Sequence, residues 1–159
     1  PIASATGDLR GISIAARAST PGGGGRYGLF YAAVPDGAEA TTSASLFDLW
    51  QSSDTRTNLA LVNVGSVDAS ASSFRIDLFD GATGRRAGST EVVVPAKGFL
   101  QLDAVLARHA PGVVQGYALV TRTAGSNPFL AFATVLDGAE PGKRSGDGAF
   151  VAAVVPDSP

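Results

Sequence analysis

The sequence predicts an all-β fold, an antiparallel β-sandwich of about ten strands with internal hairpin repeats and one short helix. Three observations predict it. Apolar, strand-like runs recur from end to end, separated by turns rich in Gly, Pro and Asp. One segment occurs twice. Only one short stretch has helical character, whereas a parallel sheet needs a crossover helix between consecutive strands.

The repeated segment comprises residues 29–39 (LFYAAVPDGAE) and 130–140 (LAFATVLDGAE), which are identical at seven of eleven positions. An alternating run precedes each copy, at residues 11–17 and 116–122, so each copy completes a strand–loop–strand unit. A single hairpin cannot bury its own apolar face, so the repeat predicts that these units stack on other strands.

We expect the two copies to superpose, with apolar residues in equivalent strand positions and an aspartate of each copy in a turn. The expected equivalent pairs are Leu29 with Leu130, Tyr31 with Phe132, Ala33 with Thr134 and Asp36 with Asp137. An Asp-Gly dipeptide follows each strand, and this dipeptide is typical of tight turns.

Ten stretches have the length and composition of strands. Their predicted bounds are 10–18, 26–34, 45–51, 57–64, 73–79, 90–94, 98–102, 114–123, 129–136 and 149–155. The fifth stretch alternates, which predicts Phe74, Ile76 and Leu78 facing inward. The intervening Arg75 and Asp77 are then expected to face water.

Two other stretches, 91–94 and 149–155, are more uniformly apolar, as expected of buried central strands. In the third stretch, strict alternation places Phe47 and Leu49 on one face. The other face then carries Asp48 and Trp50.

The helical candidate is residues 103–109. Asp103 is expected to cap its amino end, and Ala110-Pro111-Gly112 should end it. The domain expectation is a tail-like repeat unit at 1–54, which pairs with the rest of the chain or with a neighbour, and a full repeat unit at 55–159. Together they suit one compact domain, although a slice of a longer array would look the same.

Hydrophobic residues make up 45% of the chain and charged residues 16%, which predicts a folded core. The net charge of −2 favours neither nucleic acid nor an anionic membrane as a partner. No apolar run has the length of a membrane-spanning helix. The absence of Cys excludes disulfides, thiolate metal sites and cysteine nucleophiles. The absence of both Cys and Met suits an oxidising environment, or reflects composition alone.

Catalysis finds little support in the sequence. The single histidine, His109, lies at the end of the predicted helix, where an imidazolium interacts favourably with the helix dipole. Asp103 is six residues upstream of His109, whereas side chains that meet on one face of a helix are three or four residues apart. No Gly-x-Ser-x-Gly motif is present. We therefore expect a protein that is not an enzyme and needs no cofactor.

A weak calcium candidate comprises three acidic residues of a Gly-rich segment, Asp137, Glu140 and Asp147. They match no EF-hand or nonapeptide pattern, and the neighbouring Lys143 and Arg144 provide an alternative source of positive charge. No metal is therefore expected.

A weak ligand-binding candidate is Trp50 with Asp48, where an aromatic ring has polar neighbours and resembles a sugar-stacking position. The alternative is that Trp50 packs in the core, since aromatic residues dominate core burial.

Residues 56–63 (RTNLALVN), 116–120 (GYALV) and 146–151 (GDGAFV) carry a family resemblance. They resemble the non-catalytic β-sandwich repeat modules of secreted and cell-surface bacterial proteins. The resemblance implies an extracellular or cell-surface location and a structural or adhesive role, and it assigns no functional residue.

The expected function is therefore a secreted or surface-exposed structural module, as a subunit of a repetitive or filamentous assembly. Copies of the chain are the expected partner, joined through the N-terminal segment at 1–8. The alternative is an accessory module of a secreted enzyme that binds carbohydrate or protein. Neither nucleic acid nor membrane insertion is expected.

Overall fold

The computed structural model describes residues 14–22, 25–138 and 144–156, and it confirms the predicted all-β fold. The described strands are β1 (Ala15–Gly22), β2 (Gly25–Ala32), β3 (Ser43–Trp50), β4 (Thr55–Asn63), β5 (Ser72–Asp80), β6 (Arg86–Val94), β7 (Phe99–Leu102), β8 (Gln115–Ala124), β9 (Phe129–Asp137) and β10 (Gly148–Ala152). One short helix, α1 (Val105–His109), follows β7.

Two four-stranded antiparallel sheets form a sandwich. Sheet I has the strand order β10-β9-β4-β7, and sheet II has the order β3-β8-β5-β6. Their inner faces share one core, in which the largest fully buried side chains are Phe74, Phe129, Leu46, Leu49, Leu59, Leu61, Ile76, Leu78 and Leu106. Strand β3 pairs with β8, so residues on both sides of the expected boundary at 54 build the same sandwich.

The β8–β9 connection carries the chain from sheet II to sheet I, so these consecutive strands do not pair with each other. Gly125 has a φ of 93°, which favours glycine, and the following Asn127 is fully buried. The side chain of Asn127 binds the backbone of Val67, Asp68 and Ser70 in the β4–β5 loop. This asparagine fixes the connection where the chain changes sheets.

The expectation of two equivalent hairpins is wrong, because the β8–β9 connection joins two different sheets. Strands β1 and β2 pair with each other, whereas β8 and β9 lie in different sheets. The repeated segments are both extended, although Ala33 lies just beyond β2. Asp36 is in a turn, but Asp137 is the last residue of β9.

The third strand departs from strict alternation because of a bulge between Leu46 and Leu49. Asp48 adopts a φ of 59°, and the additional residue turns the side chains around it. Leu49 is consequently buried, whereas Phe47 and Trp50 are both exposed. The expected pairing of Phe47 with Leu49 on one face is therefore wrong.

The strands expected to be central are edge strands. The run at 91–94 belongs to β6 at the edge of sheet II, where Val93 is exposed. Strand β10 lies at the edge of sheet I. Asp103 does not cap α1: its carboxylate accepts a hydrogen bond from Gln101, and the N-cap residue is Ala104 in a left-handed conformation.

Asp77 is buried, contrary to the expectation that it faces water. Its neighbours Arg75 and Arg86 cover the carboxylate, with nitrogen–oxygen distances of 2.9 and 3.2 Å. Burial raises the pKa of Asp77, but hydrogen bonds from Ser89, Arg75 and Arg86 together outweigh it. The pKa of Asp77 therefore lies below its ordinary value.

This lowered pKa predicts acid sensitivity. The Asp77 carboxyl binds a proton more weakly in the folded state than in the unfolded state. Its contribution to folding stability is therefore complete above its unfolded pKa of about 3.9, and it is lost as pH falls through the folded pKa. We expect Asp77→Asn to lower the Tm at pH 7 and to reduce the fall in Tm between neutral and acidic pH. Thermal melts of the wild type and of Asp77→Asn across this pH range measure both effects. A wild-type and Asp77→Asn difference that is constant with pH would contradict the assignment.

Candidate functional site

His109 ends α1, as the sequence predicts, and its imidazole is half-buried. The backbone of this residue packs on β6, since a Cβ added to Gly88 would lie 1.7 Å from the His109 carbonyl oxygen. Within residues 14–22, 25–138 and 144–156, the imidazole has no hydrogen bond to a serine and no ion pair with an acidic residue. His109 therefore lacks the nucleophile and orienting carboxylate of a triad in the described structure.

Two of the three weak calcium candidates are engaged by protein groups. Arg144 lies 2.9 Å from an oxygen of Asp54 and 3.7 Å from an oxygen of Asp137. A hydrogen bond from the Ser145 hydroxyl and the charge of Arg144 lower the pKa of Asp137. The carboxylate of Asp147 accepts a hydrogen bond from the backbone N–H of Gly28 at 3.2 Å.

The third candidate, Glu140, lies outside the described residues, as does the N-terminal segment at 1–8 that is expected to join copies of the chain. Among the residues that the structure describes, no group of three His, Cys, Asp or Glu side chains is placed to hold a metal ion. The described part of this loop is an ion-pair network in which Arg144 supplies the positive charge.

Trp50 and Asp48, the weak ligand-binding candidates, are in direct contact. The indole Nε1 donates a hydrogen bond to Asp48 at 2.5 Å, and Gln115 donates to the same oxygen at 3.2 Å. Trp50 is 38% exposed, so it is not a core residue. Its polar edge is already satisfied by its own strand.

An aromatic row of Phe47, Tyr117 and Phe79 crosses three adjacent strands on the outer face of sheet II. The rings of Tyr117 and Phe79 are parallel within 4°, with centroids 4.8 Å apart, and Phe47 is 5.8 Å from Tyr117. Sugar stacking needs free ring faces, but Tyr117 and Phe79 stack on each other, and the Phe47 ring is tilted by 32° to that of Tyr117. The row therefore stabilises sheet II more than it offers a flat binding platform.

The N-terminal hairpin, formed by β1 and β2, packs against the outer side of sheet I. Leu29 is buried, and the Tyr31 ring meets Phe132 at 5.9 Å and Phe150 at 5.6 Å, both nearly edge to face. The two rings Tyr31 and Phe132 occupy the same position of the repeated segment. The hydrogen bond from Gly28 to Asp147 adds a polar contact to this interface.

Sequence reasoning missed several residues that position these features. The sequence identifies Asn127 only as part of a turn, Asn58 and Gln101 only as parts of strands, and Thr134 only as the repeat equivalent of Ala33. All three strand residues are polar, on the outer face of sheet I. Once the strand pairing is known, one signal could identify them: polar residues on neighbouring apolar strands that point to the same face of the sheet.

No helix within the described ranges is long and apolar enough to cross a membrane. No protein-family description matches the sequence, and a search of curated proteins finds no relative. Among solved structures, the crystal structure of Thermotoga maritima 1070 is similar, with a TM-score of 0.56 and 13% sequence identity. The match covers 73% of this chain and 95% of that chain. At this identity the likeness shows the fold alone.

Proposed function

We propose that this chain is a non-catalytic structural module that associates with copies of itself through the N-terminal hairpin, in a repetitive assembly outside the cell. One observation carries the proposal. The hairpin bears a second copy of the β9 segment, and that copy packs Tyr31 on Phe132 of β9. A segment that recognises its own repeat can make the same contact with another copy of the chain.

The connection to the sandwich allows such an exchange. Strands β1 and β2 form a separate two-stranded sheet, so the hairpin docks mainly through side chains. The chain is next anchored at Ala40, which exchanges two backbone hydrogen bonds with Phe129. Residues 33–38 between them are exposed. The seven residues 33–39 span up to about 25 Å when extended, which is enough to reach a neighbouring molecule.

Exchange has a small energetic cost because the contacts are the same within and between chains. Swapping an identical element between protomers preserves each contact and changes only the linker path. Two exposed apolar residues at the base of the hairpin and in the linker, Ile14 and Val34, add surface for a neighbour. The small-residue composition and the lack of Cys and Met fit an extracellular structural role.

Sedimentation velocity over a concentration series tests the proposal. We expect the full chain to show a reversible monomer–oligomer equilibrium. Tyr31 is half-buried and contacts Phe132 and Phe150, so Tyr31→Ala should undock the hairpin from its own sandwich and from a neighbour's alike. We expect the oligomer to be lost in this variant, because an undocked hairpin holds no second chain.

Phe30→Ala is the matched control, since Phe30 is on the same strand and 58% exposed, away from Phe132. It should leave docking of the hairpin intact. A chain that is monomeric throughout the series overturns the proposal. Equal weakening by Phe30→Ala and Tyr31→Ala overturns the assignment of the docking face.

A further inference from the structure

A cleft of about 440 Å³ lies between the tip of the N-terminal hairpin and the outer face of sheet I. This volume is within the range of about 300–1,000 Å³ that is usual for small-ligand sites. The cleft has an apolar side formed by Leu29, Tyr31 and Leu136, and its floor and roof carry polar side chains.

The floor presents three polar side chains from three adjacent strands. Asn58 and Thr134 are direct partners across β4 and β9, and Gln101 lies on β7 beyond them. Asn58 and Thr134 are each only 7% exposed. Polar side chains this deep in an otherwise apolar sheet normally have hydrogen-bond partners.

The orientation of two of these side chains is fixed by bonds made outside the cleft. The Asn58 side-chain oxygen accepts a hydrogen bond from the backbone N–H of Ala104 at 3.0 Å. Its oxygen is therefore already engaged, and its NH2 group remains able to donate to a ligand. The Gln101 nitrogen donates to Asp103 at 2.7 Å, which leaves an acceptor oxygen. Within the described part of the chain, the other polar side-chain atoms of Asn58 and Gln101 make no hydrogen bond. The floor thus offers a donor, an acceptor and the hydroxyl of Thr134, which can act as either.

The roof adds Ser19, Thr20 and Tyr27 from the hairpin. Arg26 braces the tip by donating to the Ser19 hydroxyl at 3.0 and 3.1 Å. No Asp, Glu, Lys, Arg or His side chain is among the described residues that line the cleft. The nearest charges, on Arg26, Asp103 and Asp147, are hydrogen-bonded to the lining residues Ser19, Gln101 and Gly28 and are not themselves in the lining. A charged ligand would therefore find no opposite charge in the lining to pair with, so the cleft favours an uncharged one.

We propose that this cleft binds a short neutral oligosaccharide. Sugar hydroxyls both donate and accept, which matches the mixed set on floor and roof, and the C–H faces of a sugar ring suit the apolar side. A peptide strand cannot add to the sheet at Asn58 or Thr134, because β4 and β9 are each paired on both sides. Of the three floor strands only β7, which carries Gln101, lies at the edge of sheet I. The proposal does not rest on self-association, and it places the binding site on sheet I, away from Trp50.

Calorimetric titration of the full chain with cellohexaose, maltohexaose and xylohexaose tests the proposal, with an oligogalacturonate as the charged comparison. We expect at least one neutral hexamer to bind, and the oligogalacturonate to bind at least about tenfold more weakly, because it carries charge into an uncharged cleft. Gln101→Ala and Thr134→Val should each weaken binding about three- to tenfold, as expected for the loss of one hydrogen bond.

Trp50→Ala is the control on the opposite sheet and should leave the affinity unchanged. Gln101 is exposed, so its truncation should not disturb folding, and circular dichroism melts verify this for every variant. The proposal is overturned if none of the three neutral hexamers binds. It is also overturned if Gln101→Ala and Thr134→Val leave the affinity unchanged, or if Trp50→Ala abolishes binding.

Discussion

Replacing Asn127 with alanine should destabilise the fold by about 3 kcal/mol, because one fully buried side chain satisfies several backbone groups at once. Its oxygen accepts from the N–H groups of Val67 and Asp68 at 2.9 and 3.0 Å. Its nitrogen donates to the carbonyl oxygens of Asp68 and Ser70, both at 3.1 Å. Truncation removes all of these bonds and leaves a cavity where the chain crosses between sheets.

Chemical denaturation measures the loss in free energy of unfolding. Hydrogen exchange should show, in addition, that the amides of Val67 and Asp68 lose protection in Asn127→Ala. Val67→Ala is the matched control: it truncates an exposed side chain in the same loop and keeps the backbone bond to Asn127, so we expect a change within about 0.5 kcal/mol. A cost below that figure for Asn127→Ala would show that other contacts hold the crossing.

Asn127 also shows where sequence reasoning reaches its limit. Ser126-Asn127-Pro128 has the composition of a turn, and the chain bends at Ser126. However, the same composition suits both a hairpin within one sheet and a connection between two sheets. The difference depends on a loop that is distant in sequence, so the local pattern predicts the turn and not the partner.

Strand positions, in contrast, follow from local patterns. The stretches predicted at 73–79 and 129–136 correspond to β5 (Ser72–Asp80) and β9 (Phe129–Asp137). Alternation and flanking turn residues are properties of the chain itself, so they predict a strand before its neighbours are known. The bulge at Asp48 escaped prediction because a single aspartate in an otherwise strand-like run is only a weak signal for a left-handed residue.

The candidate site required the strand pairing. Asn58 and Thr134 are far apart in the sequence, and each alone is an ordinary polar residue in a strand. They become one surface only because β4 and β9 pair in a particular register. The repeated segment predicted a contact between units, but the way the N-terminal hairpin lies over sheet I is a tertiary property that the repeat does not contain.

Phe74→Ala should destabilise the fold by about 4 kcal/mol, within the range observed when a buried phenylalanine is truncated. Phe74 on β5 is fully buried, and its ring packs on that of Phe129 on β9, with centroids 4.9 Å apart and planes at 61°. These two rings join sheet II to sheet I across the core, so the truncation leaves a cavity between the sheets. The equilibrium unfolding free energy measures the effect.

Phe99→Ala is the control, because it removes an aromatic ring that is 59% exposed on the outer face of sheet I and not buried between the sheets. Its truncation should cost about 1 kcal/mol or less. A double-mutant cycle of Phe74 and Phe129 should give a coupling energy of about 0.5–1.5 kcal/mol, the range for an aromatic pair beyond area burial. If the two truncations were additive, the sheets would be held by general apolar burial, and this ring pair would have no special role in joining them.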